Sequence, residues 1–486
     1  MRLATKTFLS LAICILANGA PAWGQDVTAT LGSASQAMGI TNVTSLHYQG
    51  SGSSYNFGQA INVAAPWRHL ILKRYVADID YTLPAMREEM DRTLLDGTAP
   101  FGGFLQVQFV SGSDAWNQTG DPPVASPAPA ALEERKLQIW LTPAGFLEGA
   151  LANHATARRQ GANTIVTFVT PDGHNVEGSI NAQNLVVKTE TWIDNPVLGD
   201  MPIETTFSSY ANFGRMNLPA RILQKEGGYP VLDLTVSDVK ANGAAAIDVP
   251  ASVRGARVPQ VKVESTRIAD GVWYLTGGTH HSVLVEFKDY LAMIEAPLDE
   301  DRSNALIAEA HKLSPSKPIK FVVNTHNHFD HLGGVRTFVA EGAIVIAPAP
   351  DVAYYRKVFL LPHTLKPDKL SQSTKQPTIE GVQTKREITD GTQIVELYVT
   401  PIKGHSDSMI IAYLPKSKLL VEADAYVPGP LNAPPSAKPD PYFLPFTIDL
   451  YERLQKLKLD VGPIAPLHGR MTSMTEMLRT IGKSGS

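Results

Sequence analysis

From about residue 26 to residue 250, apolar and polar positions alternate in short runs. FLQVQFV (104–110), KLQIWL (136–141), TIVTFV (164–169), NLVVKTETWI (184–193) and PVLDLTVSDV (230–239) each read as a strand. Turn residues punctuate them at Pro171-Asp172-Gly173, Gly199-Asp200 and Glu226-Gly227-Gly228. One stretch departs from this rhythm. Between about 84 and 95, Met86, Met90 and Leu94 recur at a spacing of four, which predicts a helix. The piece DPPVASPAPAA (121–131) is a loop by composition. The pattern predicts a mostly antiparallel β domain with a few helices.

The stretch VPASVRGARVPQ (249–260) breaks the pattern, and the chain changes character after it. Strands are expected at 272–276, 282–287 and 290–295, a helix at 300–313 and a strand at 319–324. Helices and strands then alternate, which marks an α/β domain. The expected division is a β-rich domain at 25–250, a linker at 251–265 and an α/β domain at 266–480.

Composition changes this picture in two places. Arg2 and Lys6 precede an apolar run from Phe8 to about Ala17, then Ala20-Pro21-Ala22 and Ala22-Trp23-Gly24 offer small residues for cleavage. Residues 1–24 therefore read as a secretory signal peptide, and the protein is expected to be periplasmic or secreted. Removing Arg2 and Lys6 takes the formal charge from −4 to −6. The only cysteine, Cys14, lies inside that leader, so the mature chain has no disulfide and no thiolate ligand. No basic cluster points to nucleic acid, and no segment is long enough to span a bilayer.

The candidate chemistry is concentrated after the strand IKFVVN. Within six positions come His326, His328, Asp330 and His331. A strand-to-helix turn can fan these side chains around one point, and imidazole and carboxylate both suit divalent zinc. A hexapeptide cannot complete two coordination spheres, but distant partners exist. His405 lies in the turn KGHSDS, Asp424 ends the strand KLLVEAD and His468 ends GPIAPLH. All three occupy C-terminal ends of predicted strands, where open α/β sheets place their sites.

Over roughly 266–475 this order of residues resembles the metallo-β-lactamase superfamily, whose spine is His-x-His-x-Asp-His followed by a histidine, an aspartate and a last histidine. The resemblance implies an αββα sandwich holding two Zn2+ ions, with Fe or Mn as other possibilities. It implies that His326, His328 and His405 bind one metal, that Asp330, His331 and His468 bind the other, and that Asp424 bridges them. It further implies hydrolysis by an activated water, with Asp330 as the catalytic carboxylate. An aspartate at the bridging position resembles the thioesterase, lactonase and phosphodiesterase members rather than the true β-lactamases.

Weaker signals concern the substrate, expected to be a small molecule with an apolar tail. His280 and His281 in GGTHHS read first as turn residues, with His281 a candidate substrate contact. Tyr426, Tyr442 and Phe443 flank or lie in a proline-rich insert (426–446) that reads as a roof over the site. The N-terminal strands resemble the curved half-barrels of periplasmic lipoprotein-carrier domains by rhythm alone. The leading expectation is an exported dinuclear zinc hydrolase cleaving an ester, thioester, lactone, or phospho- or sulfo-ester. A β-lactamase, and a lipid- or partner-binding protein with a vestigial hydrolase domain, are the alternatives. Because all seven expected ligands lie beyond residue 320, the N-terminal domain is expected to be separable from the chemistry.

Changing both His326 and His328 to Ala should empty one metal position and abolish turnover. Two metals and full turnover in that variant, by elemental analysis and assay, would refute the assignment.

Overall fold

Thirteen strands of the N-terminal region pair into one antiparallel sheet whose spatial order follows the chain except at one seam. At that seam Ser45–Ala60 lies between Trp67–Asp80 and Tyr229–Ala241, so the first long strand is held by the next and by the last. The computed structural model describes residues 27–243, 247–429 and 439–483. The expected signal peptide and residues 430–438 of the proline-rich insert lie outside them.

Halfway through the sheet the chain leaves it to form the helices Leu132–Trp140 and Pro143–Ala152. Thr142 caps the second, its hydroxyl accepting from Gly145 N at 3.1 Å, and Pro143 supplies the fixed φ that a first helical turn tolerates. Both helices and Val27–Ala37 pack on one face of the sheet, where Leu31, Met38, Ile139, Phe146 and Leu147 share a core with strand residues such as Leu46, Val166 and Ile203. Strands from both halves of the sheet, with the helix Leu132–Trp140, line a cavity of about 570 Å3, so the sheet curls around the helices.

Three sequence expectations fail here, the first being DPPVASPAPAA, expected as a loop, which holds the edge strand Val124–Pro127 paired with Asp114–Thr119. Residues 84–95 are not a helix: Ala85–Thr93 is a strand between Trp67–Asp80 and Leu105–Ser111. A spacing of four is even, so it also keeps side chains on one face of a strand. Met86 and Met90 line the cavity with Glu88 and Arg92, all at even positions. KLQIWL is the reverse case and belongs to the helix Leu132–Trp140, where Leu137, Ile139 and Trp140 are all buried. Alternation of Leu137, Ile139 and Leu141 suggested a strand, but Trp140 between them is buried too.

The C-terminal region is an αββα sandwich. One sheet of seven strands runs from Glu264–Ala269 to Ile379–Val382, antiparallel at first and parallel from Leu291–Ile294 onward. A second sheet of six strands runs from Lys385–Thr389 to Thr472–Ser473. Side chains alternate along each strand, which explains the layers. Leu284, Met293 and Val322 pack under the helices Glu300–Leu313, Val335–Glu341 and Val352–Val358. Val283, Val285, Ile294 and Val323 face the second sheet and meet Leu397, Ala412 and Val421. Leu450 and Leu454 of the helix Leu444–Leu457 extend that core. Among the described residues no helix is long and apolar enough to cross a membrane.

The two regions touch at more than one junction. Val197, from the turn after Val186–Asn195, is buried in the C-terminal core. The Asp200 carboxylate accepts from the Thr364 and Leu365 amides at 2.8 and 2.9 Å. A second junction, at residues 57–62, reaches the loops that carry the histidines.

Phe146 is fully buried, lies tilted against the Phe168 ring and packs so closely on Gly178 that a Cβ there would collide with its ring. Phe146→Ala should cost about 3–5 kcal/mol in denaturant unfolding. A loss below about 1 kcal/mol would contradict an embedded helix.

Candidate metal centre

Each candidate ligand stands where a strand of the sandwich ends. Ile319–Val323 runs into Asn324, Thr325 and His326, and the short helix Phe329–Leu332 carries Asp330 and His331. The chain can turn this tightly because Gly333 and Gly334 follow. A Cβ on Gly333 would lie 1.9 Å from the Leu298 carbonyl, and one on Gly334 2.2 Å from Ser303 Oγ. His405 follows Ile394–Val399, Asp424 follows Leu419–Glu422 and His468 follows Pro463–Pro466.

All seven side chains named from the sequence are brought together, in two groups. His326, His328, His405 and Asp424 offer donor atoms within 4.8 Å of one another, as do His280, Asp330, His331 and His468. The Asp424 carboxylate stands between the groups. Its Oδ2 is 3.0 Å from His405 Nε2 and 3.3 Å from His326 Nε2, while its Oδ1 is 2.8 Å from His468 Nε2 and 3.1 Å from His331 Nε2. The first group is buried; Asp330, His468 and His280 in the second are only partly so. The second group is therefore the more open to solvent.

Groups behind the ligands decide which nitrogen points inward. His331 Nδ1 donates to Glu295 Oε2 at 2.9 Å, so its Nε2 faces Asp424. Glu295 is fully buried and is itself held by Asn324 Nδ2 at 2.7 Å and Thr325 Oγ1 at 2.5 Å. His326 Nδ1 contacts Thr325 Oγ1 at 3.0 Å. His328 is turned the other way: its Nε2 donates to the Ala60 carbonyl at 3.2 Å, and its buried Nδ1 has no hydrogen-bond partner and stands 3.9 Å from Asp424. A buried donor atom without a partner, aimed at a carboxylate-and-imidazole cluster, is what a metal ligand looks like.

The electrostatics agree. Burial pushes His326 well below the usual histidine range and His405 down to about 4, so both present lone pairs at neutral pH. In His331 burial acts the same way but is overcome by Asp424, Asp330 and Glu295, which hold it well above its ordinary value. Burial raises Asp330 and Asp424, yet the histidines around them, His331 foremost, hold both below the usual carboxylate range. Ionised carboxylates with the neutral imidazoles of His326 and His405 are a donor set that fits divalent zinc and also iron or manganese, and His331 would give up its proton on joining it.

Sequence reasoning missed several groups. His280, read as a turn residue, sits in the second cluster, its Nε2 3.1 Å from Asp330 Oδ2 and its ring 4.1 Å from that of His468. Its neighbour His281, the residue named as a substrate contact, is instead buried beside Tyr274 with Nε2 donating to the Gly469 carbonyl at 2.6 Å. In an extended segment adjacent side chains point opposite ways, so only one of the pair can face the cluster. Tyr426 is also buried, its hydroxyl beside Thr480 Oγ1 of the C-terminal helix, and does not line a mouth. Tyr442 and Phe443 are partly exposed and pack with Phe446 and with the exposed Phe101 of the N-terminal region. Glu295 gave no motif signal, though an acidic residue ending an apolar strand was a visible oddity.

Residues 275–466 match the family model described as the metallo-beta-lactamase superfamily. A linear primary-alkylsulfatase from Pseudomonas sp is 25% identical over 150 residues, 30% of this chain and 22% of that protein. Another, from Pseudomonas sp. (strain ATCC 19151), is 40% identical over 58 residues, 12% of this chain and 11% of its own. The chain thus spans well under a quarter of the curated relatives it matches. Among solved structures, a metallo-beta-lactamase from Pontibacter korlensis is 20% identical, covering 46% of this chain and 98% of its own with a TM-score of 0.35. One from Hirschia baltica is 18% identical, covering 45% and 96%, with a TM-score of 0.32.

Glu295→Gln removes the charged acceptor behind His331 while keeping its shape. Metal affinity should fall by about 10–100-fold in competition with a chelator. An unchanged affinity would show that Glu295 only packs.

Proposed function

We propose, from the premise that residues 275–466 form a domain of the metallo-beta-lactamase superfamily, that the protein is a metal-dependent hydrolase of an ester-type bond, sulfate esters foremost. The observation that carries this reading is Asp424, with one carboxylate oxygen turned to each group of histidines. His326, His328 and His405 would hold one cation, and Asp330, His331, His468 and His280 the other, zinc being the preferred ion. Such a pair, when bound, acidifies water and polarises an ester oxygen.

The chain's own residues supply the rest. Asp330 is held ionised, has its Oδ2 beside His280 and His331, and is more exposed than the buried ligands. It is placed to accept a proton from an attacking water and to pass it to a leaving oxygen. Glu295 fixes the orientation of His331 and keeps its Nε2 turned inward. Phe101, Tyr442 and Phe443 form an apolar rim, and Arg68 donates to Tyr442 Oη at 2.8 Å. An apolar rim with a cation beside it suits an anionic ester carrying a hydrophobic tail. The alkylsulfatase relatives favour a sulfate ester over a carboxylic or phosphoric one. Export to the periplasm or beyond belongs to the same reading and rests on residues 1–24.

A panel of alkyl sulfates, carboxylic esters, lactones, phosphodiesters and cephalosporins, run on zinc-loaded protein, tests the proposal. An ester-type substrate should be turned over fastest, and Asp330→Asn should lose about 100-fold or more of that rate with the fold intact. Faster turnover of a cephalosporin than of every ester would overturn it.

A further inference from the structure

The N-terminal sheet makes its nearest approach to the metal centre through an irregularity in one strand. After an earlier register shift at Gly50–Gly52, Ser45–Ala60 pairs regularly with Trp67–Asp80 up to Asn56 opposite Arg68, and the next pair is Ala60 opposite Trp67. Four steps on one strand match one on the other, so Phe57, Gly58 and Gln59 bulge out of the ladder. Bulges re-aim side chains and are common beside active sites. Here the bulge points at the loop that carries His328 and Asp330.

Each bulged residue meets that loop. The Phe57 ring stands edge-on to Phe329, 5.3 Å between centroids, with Trp67 against both. Gly58 lies so close that a Cβ would sit 2.6 Å from the Phe329 ring, and its φ of +71° is one that glycine adopts freely. Gln59 Nε2 donates to Asp330 Oδ1 at 2.7 Å, which leaves Oδ2 for the cluster. The Ala60 carbonyl accepts from His328 Nε2 at 3.2 Å and from Asn327 Nδ2 at 3.0 Å. Beyond the bulge, the Ile61 carbonyl accepts from the Asp407 amide at 2.8 Å and Asn62 Nδ2 donates to the Asp407 carboxylate at 2.8 Å, two residues past His405.

We propose that this bulge is a built-in part of the metal centre, with Gln59 and the Ala60 carbonyl as positioning groups for Asp330 and His328. Metal-binding histidines usually donate their second ring N–H to an outer acceptor, which fixes the tautomer, and ligating carboxylates are themselves hydrogen-bonded. In this chain those outer partners come from a strand about 270 residues upstream, on a different sheet. Ala60 supplies a backbone atom, so no side-chain substitution removes it. Gln59 is the accessible test. The inference rests on the metal centre proposed above.

The test uses the full zinc-loaded chain and follows zinc transfer to a coloured chelator, together with the visible spectrum of the cobalt-substituted protein. Gln59→Met keeps the length of the side chain and removes its donor. Release of one of the two ions should quicken by about 10–100-fold, and the cobalt spectrum should change. Val166→Ala, a core truncation far along the same sheet, should lower the melting temperature and leave zinc release unchanged. Release from Gln59→Met at the wild-type rate would overturn the proposal, as would an equal acceleration by Val166→Ala. If the unmodified chain takes up no zinc, the metal-centre reading itself fails.

Discussion

The Asp424 carboxylate is buried, and burying a charge costs several kcal/mol unless partners compensate it. Here four imidazoles approach its two oxygens within 3.3 Å, two on each. Everything else in the C-terminal domain serves that arrangement. The strand ends bring these histidines in from three separate segments, and the two glycines after the helix Phe329–Leu332 let it pack closely against the Leu298 carbonyl and Ser303. Glu295, also fully buried, repeats the device one layer out by accepting from His331, Asn324 and Thr325. Burying two carboxylates so near each other is costly for stability alone. It is a reasonable cost for a site that holds cations.

The N-terminal region enters at the same layer. A bulge in its first strand contacts Asp330, His328 and the segment after His405. A domain that only carried cargo beside a hydrolase would meet it through ordinary surface contacts. This one reaches the ligands through hydrogen bonds, and its Phe101 and Arg68 extend along the rim. The cluster and the apolar rim beside it are consequently lined by both regions.

The seven candidate residues could be picked out in the sequence because they stand in a fixed order at strand ends, and the fold brings them together. The sequence disclosed the αββα sandwich through the same residues. What it hid follows from geometry. Met86 and Met90 are four apart, and that spacing satisfies a strand face as well as a helix face. KLQIWL alternates like a strand although Trp140, between Ile139 and Leu141, is also buried. His280 and His281 are chemically identical neighbours, and only the backbone direction decides which one joins the cluster. Gln59 and the Ala60 carbonyl act through space across 268 to 271 positions, and a backbone oxygen has no sequence signature at all.

Anomalous diffraction at the zinc edge, on crystals of the full chain, would most directly test the dinuclear centre. Two peaks are expected about 3.5–4 Å apart. One should lie among His326, His328 and His405, the other among Asp330, His331 and His468, with Asp424 between them. A single peak, or zinc bound away from Asp424, would contradict it.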